Sequence, residues 1–146
     1  DSCLVAPLAK WCYIFFMNAG SFNIITDDQQ RILLCLRHDK DLWNLPGGRV
    51  ELDESPWDAA IREAKEEINV EVKIQRLQGI YHKPKNNELV FQFISEIITG
   101  VPALSDEVKE VKYFTFNEIP ANTAPLQFER IKLFYLDSTK INLITH

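Results

Sequence analysis

Apolar residues between 56 and 68 recur at helical spacing. With each residue turning by about 100°, Trp57, Ala60, Ile61, Ala64 and Ile68 fall within an arc of about 100°, and Pro56–Ile68 is predicted to be a helix with that apolar face. Ser55 is a good N-cap, Pro56 suits the first helical position, and Asp58 completes a capping-box pattern. Alternating or unbroken apolar runs elsewhere predict strands over 11–17, 21–26, 31–37, 70–81, 89–98 and 108–116. Asn18-Ala19-Gly20 breaks the first two apart, and residues 27–30 form a turn. The polar connections are 38–44, which contains Trp43, 82–87 and 99–106. Val72, Ile74 and Leu77 are core candidates. After a turn at 117–120, a second helix starts near Pro125, with Ile131, Phe134 and Tyr135 or Leu136 on its apolar face. Strands, helix, strands, helix is the order of an α/β fold with a mixed sheet.

A length of 146 residues with 46% hydrophobic content fits one domain with an ordinary core. No apolar run approaches the roughly 20 residues of a membrane span. A net charge of −5 argues against a protein that grips long nucleic acid by its phosphates. It leaves room for small phosphorylated ligands, whose charge a metal can offset. The three cysteines, Cys3, Cys12 and Cys35, show no CxxC spacing. Cys12 and Cys35 sit in apolar runs and read as core, so an intracellular, cytoplasmic protein is expected. The first residue is Asp1 and the sole methionine is Met17. Residues 1–16 read as an N-terminal extension of open origin, either the remainder of a trimmed N-terminus or a stretch ahead of a start at Met17, next to a single domain over 17–146. They lack the basic-then-apolar layout of a signal peptide.

Glu63, Glu66 and Glu67 share an arc of the predicted helix, because positions three and four apart are neighbours. Three carboxylates this close repel one another unless a cation sits among them. Oxygen-rich sites suit Mg²⁺ or Mn²⁺, and the Pro46-Gly47-Gly48 turn lets a backbone carbonyl join the ligands. For an isolated REAKEE, a solvated charged face is the competing reading.

The longer pattern changes that balance. Gly48, Glu54, Arg62-Glu63-Ala64, Glu66-Glu67, Asn69 and Val70, preceded by Leu45-Pro46-Gly47, resemble the signature of the Nudix hydrolases, among them the MutT-like enzymes. Asn69 is the departure, since the family has glycine there; Asn is the next most tolerant residue for a left-handed helix end. The resemblance implies an α/β/α sandwich with a mixed β-sheet, and a metal-dependent pyrophosphohydrolase. Its substrate would be a nucleoside diphosphate-X compound: a nucleoside triphosphate, or a nucleotide sugar such as ADP-ribose. It further implies Mg²⁺ or Mn²⁺ held by Glu66, Glu67 and the Gly48 carbonyl. Glu63 would ligate or orient the metal-bound water, or deprotonate it, and Glu54 with Arg62 would form a supporting pair. A surface ion pair is the plainer reading of Glu54 and Arg62.

A further carboxylate outside this box often serves as ligand or base in the family. Glu107, expected in the loop before a strand, is favoured over Glu110, expected on the strand and solvated. Among substrate contacts, Trp43 could stack on a base or anchor the core, and Arg37 could hold a phosphate or sit on the surface. Asn122 resembles the place where MutT-like members present an amide to a purine. A catalytically silent nucleotide-binding module is the alternative function, disfavoured because Glu54, Glu63, Glu66 and Glu67 are all kept. The expected partner is a small nucleotide, with no nucleic-acid polymer and no membrane; a homodimer is compatible with the chain.

Overall fold

A computed structural model describes residues 17–146. The elements are β1 (Asn18–Ile24), β2 (Ile32–Arg37), β3 (Trp43–Asn44), β4 (Gly47–Arg49), α1 (Pro56–Ile68), β5 (Glu71–Lys83), β6 (Glu88–Thr99), β7 (Val108–Phe114), α2 (Pro125–Leu136) and β8 (Asn142–Thr145). They form a five-stranded sheet in the order β4-β1-β6-β5-β8 and a three-stranded one in the order β3-β2-β7. β1 runs parallel to β6 and β5 parallel to β8, while the other pairs are antiparallel. The expected mixed sheet is present.

β2 explains the layering. Its side chains alternate between two buried clusters: Leu33 and Cys35 pack with Ala64 and Ile68 of α1, whereas Ile32, Leu34 and Leu36 pack with Ile131 and Phe134 of α2. A strand covered on both faces reads as an unbroken apolar run, as this one does. Cys35 is buried core, as expected. The helices therefore lie on opposite sides, giving the α/β/α arrangement.

Both ends of α1 follow local chemistry. The Asp58 amide donates to Ser55 Oγ at 3.1 Å. Asn69 takes the left-handed conformation, with φ 56° and ψ 38°, and the amides of Asn69 and Val70 close onto Lys65 and Ala64 carbonyls at 3.1 and 3.4 Å. Asn thus does the work of the expected glycine.

Several expectations are corrected. Residues 18–20 do not break a strand; they begin β1, held by parallel pairing to residues 88–90 of β6. Trp57 and Ile61 are exposed, and the buried face of α1 is Ala59, Ala60, Glu63, Ala64, Glu67 and Ile68. Periodicity identified the helix and placed Ala60, Ala64 and Ile68 on its buried face, but that face is rotated away from Trp57 and Ile61 because Glu63 and Glu67 turn inward. β5 runs on through His82 and Lys83, which were expected in a loop, and β3 and β8 were not expected at all. Tyr135, not Leu136, completes the α2 face. The strand expected over 11–17 lies outside the described residues except for Met17, which is exposed and precedes β1.

Candidate active site

The glycine turn and α1 meet through a buried amide. Asn23 on β1 is fully buried. Its Nδ2 donates to the carbonyls of Pro46 at 3.3 Å and Ala60 at 2.9 Å, its Oδ1 accepts from Ser95 Oγ at 2.8 Å, and its backbone amide donates to Pro46 at 2.8 Å. One side chain thus ties the turn, the helix and β6 together. Sequence reasoning missed it. The available signal was a polar residue inside the apolar run Phe22-Asn23-Ile24-Ile25.

The clamped turn is shaped to its carboxylates. The Gly47 amide donates to Glu67 Oε2 at 3.0 Å. Gly47 itself has φ +157°, and a Cβ there would lie 2.2 Å from the Ser21 carbonyl oxygen. Glu63 and Glu67 are buried, and one carboxylate oxygen from each, with one from Glu107, lies within 4.8 Å of the others. Glu107 sits in the loop just before β7, and its carbonyl accepts from the His38 amide at 3.0 Å. Glu110 lies in β7, opposite Leu36, and is exposed.

Burial sets the charge state here. It pushes Glu67 up to about 8, helped by the carboxylates of Glu63 and Glu107 and opposed by the Gly47 hydrogen bond and by Arg37. Burial also raises Glu63, against the neighbouring Arg62. Unpaired buried carboxylates are costly unless protonated or coordinated. The oxygen-only donor set, with ligand atoms this close, fits a hard divalent cation.

Arg62 organises the outer rim. Its Nε and Nη2 hold the two oxygens of Glu54 at 2.7 and 3.0 Å, Nη2 also reaches the Arg49 carbonyl at 3.0 Å, and Nη1 reaches Glu63 at 3.1 Å and Glu66 at 2.9 Å. Glu54 is held below its usual range by that guanidinium, and Arg62 is raised by the same contact. This is a network rather than a lone ion pair. Glu66 is half exposed and turned to Arg62, so it stands outside the group formed by Glu63, Glu67 and Glu107.

The remaining candidates divide. A bulge between Leu36 and Arg37 re-aims the end of β2. Arg37 feels the charge of Glu67 and Glu107, pairs with Asp39 at 2.9 and 3.1 Å, and lines a cleft of about 390 Å³ that also includes Gly48, Arg49 and Lys40. Lys40 was not singled out in the sequence. Trp43 is buried in the core, with its ring edge-on to Phe114 at 5.0 Å. Asn122 is exposed and spends its Nδ2 on the Asp41 carbonyl at 3.1 Å.

A layered α/β/α fold with an inward-turned carboxylate helix behind a glycine turn defines a class, and comparison with known proteins gives it a name. Residues 17–134 match the NUDIX domain family, and the chain belongs to that family. It is 33% identical over 126 residues to a putative 8-oxo-dGTP diphosphatase of Bacillus subtilis (strain 168), covering 85% of this chain and 84% of that protein. It is also 33% identical over 114 residues to an ADP-ribose pyrophosphatase of Methanocaldococcus jannaschii, covering 73% and 68%. In fold it superposes on a NUDIX hydrolase from Nitrosomonas europaea with a TM-score of 0.79 at 23% identity, over 88% of this chain and 78% of that one. The chain is a hydrolase acting on phosphoric anhydrides, as the signature implied. Among the described residues no helix is long and apolar enough to cross a membrane.

Proposed function

We propose that the protein is a divalent-metal-dependent pyrophosphohydrolase that cleaves the diphosphate linkage of a nucleoside diphosphate-X compound, a nucleoside triphosphate or a nucleotide sugar such as ADP-ribose. The observation that carries this reading is the convergence of Glu63, Glu67 and Glu107 beside the Arg37 cleft. Mg²⁺ or Mn²⁺ bound there would offset charge on the phosphate oxygens and acidify a water. Glu63, Glu66, Glu67 and the Gly48 carbonyl are the proposed ligands, with Glu66 released from Arg62 on loading. Glu107 is the proposed base, since a loop carboxylate beside two buried ones is placed to take a proton. Arg62 and Glu54 hold the helix carboxylates in register, and Arg37 receives a phosphate in exchange for Asp39. Relatives named for 8-oxo-dGTP and ADP-ribose support both substrate types. We take the domain as 17–146, because β8 completes the sheet beyond the matched 17–134.

The test is a panel of nucleoside triphosphates and nucleotide sugars, assayed with Mg²⁺ and with Mn²⁺ for release of nucleoside monophosphate. Hydrolysis that EDTA abolishes is the expected result. Turnover unaffected by chelation, or none on any diphosphate linkage, overturns the proposal.

A further inference from the structure

A second cleft, of about 330 Å³, adjoins the first and shares Phe22, Arg37, Lys40 and Glu88 with it. It ends at the start of α2, against Leu126, Gln127 and Arg130. Arg130 is 3% exposed, and its Nε and Nη2 have no hydrogen-bond partner among the described residues. Those two atoms form the edge of a guanidinium that grips a carboxylate or phosphate with paired bonds. The same protein shows this edge in use, as Arg62 gives it to Glu54 and Arg37 to Asp39. Arg130 lies over the Tyr81 ring, 4.6 Å from its centre, which supports a cation but accepts no hydrogen bond from that edge. Glu88, the acid in this cleft, is already bound by Lys83 at 2.6 Å.

The helix adds an independent feature. α2 begins at Ala124-Pro125 without a side-chain cap. The first amides of a helix have no acceptor within it, and its N-terminus carries partial positive charge. Leu126 and Gln127, which line the cleft, occupy that first turn, and buried Gln127 leaves its Oε1 unpartnered. Burial lowers Arg130 to about 10, with Tyr81 and Glu88 opposing, which still leaves it charged at neutral pH and without a direct partner on that edge. A buried guanidinium with an unpartnered edge, beside an uncapped helix start, is a site for an anion.

We propose that this cleft binds a second anionic group of the substrate, a phosphate or carboxylate remote from the scissile diphosphate, on the Arg130 edge and the first-turn amides of α2. The site rests on the pyrophosphohydrolase reading only for its consequence: X-groups bearing such a charge are preferred. The binding itself needs no metal. The experiment is a ¹H–¹⁵N NMR titration of the full chain in EDTA with inorganic phosphate, and separately with acetate, following Arg130 Nε–H and the Leu126 and Gln127 amides. Saturable shifts at those three groups are expected with at least one of the two anions, and the stronger one identifies the phosphate or carboxylate source. Arg130→Met should weaken binding by about tenfold or more, Arg130→Lys by less, and Glu110→Gln, exposed on β7, not at all. If Arg130→Met fails to fold, the wild-type titration decides by itself. No shifts from either anion, shifts unchanged in Arg130→Met, or shifts from uncharged guanosine but from neither anion would overturn the site. A companion assay compares UDP-glucuronate with UDP-glucose, which differ by one remote carboxylate. Anion binding without hydrolysis of any nucleotide sinks the activity and keeps the site; hydrolysis without anion binding does the reverse.

Discussion

A Cβ placed on Gly48 would sit 2.5 Å from Oε1 of Glu63. The glycine therefore leaves room for a buried carboxylate rather than only permitting a turn. Gly48→Ala is expected to push Glu63 off its position while Asn23 still holds the turn to α1. Displacing a group that orients metal ligands costs about 10–100-fold in metal affinity or activity. Titrating Mn²⁺ into the variant, with a thermal melt as the control on folding, checks this. Unchanged affinity in a folded variant would remove Glu63 from the metal set.

Glu66 and Glu67 are adjacent in sequence but not equivalent in place. Glu67 is buried on the Gly47 amide, whereas Glu66 is half exposed and tethered to Arg62. Both substitutions, Glu66→Gln and Glu67→Gln, should lower turnover at saturating Mg²⁺, Glu67→Gln by several orders of magnitude and Glu66→Gln by less. A removed metal ligand forfeits charge stabilisation worth several kcal/mol, and tenfold in rate is about 1.4 kcal/mol. Turnover in the reverse order would make Glu66, once released from Arg62, the stronger of the two ligands.

The metal-free protein should lose stability as pH rises through neutrality. Glu67 is raised from 4.5 to about 8, chiefly by burial, so between those values the folded state holds a proton that the unfolded state has released. The stabilising contribution is full below the unfolded value and is lost as pH climbs through the folded one. Glu63, raised by the same cause, acts with the same sign. His146 is lowered by burial and acts oppositely on the acid side of neutrality, so the difference between wild type and Glu67→Gln is the clean readout. In EDTA the wild-type melting temperature should fall from pH 5 to pH 8 more steeply than that of Glu67→Gln. A cation binding only the folded, ionised site should flatten that slope. Parallel slopes in EDTA would show that Glu67 does not hold the proton.

The scaffold and the box were legible because they rest on local rules. The Ser55 cap, the left-handed Asn69 and the unbroken run of β2 each depend on a few neighbouring residues. What escaped depends on partners distant in the chain. Asn23 becomes a clamp only when Pro46, Ala60 and Ser95 arrive around it. Residues 18–20 become strand by pairing with β6 and, at Gly20, with β4, and Trp57 is exposed because Glu63 and Glu67 take the inner face. Trp43 carried two readings in the sequence, and its burial against Phe114, a partner distant in the chain, is what the local pattern could not show.

Glu107 and Glu110 share a short acidic stretch but differ in reach. Glu107 lies before β7 in a loop whose Ser105 Oγ accepts from the Glu107 amide at 3.3 Å, and its carboxylate stands within 4.8 Å of those of Glu63 and Glu67. Glu110 is committed to the exposed side of the β2–β7 pairing. A base must come within hydrogen-bond reach of the water it deprotonates, directly or through one further water. Arg37, the proposed phosphate contact, keeps its pairing with Asp39 in both variants and loses only the longer-range charge of Glu107 in one of them. Glu107→Gln should therefore depress kcat by about 10²–10⁴-fold, the range of general-base catalysis, with KM little changed, and Glu110→Gln should leave both near wild type. Steady-state kinetics on a substrate found in the panel, with Mg²⁺ varied to separate a lost base from a lost ligand, will decide between the roles of Glu107. If added Mg²⁺ restores the rate, Glu107 acts as a ligand and proton removal passes to Glu63; if it does not, and kcat alone is lost, Glu107 is the base.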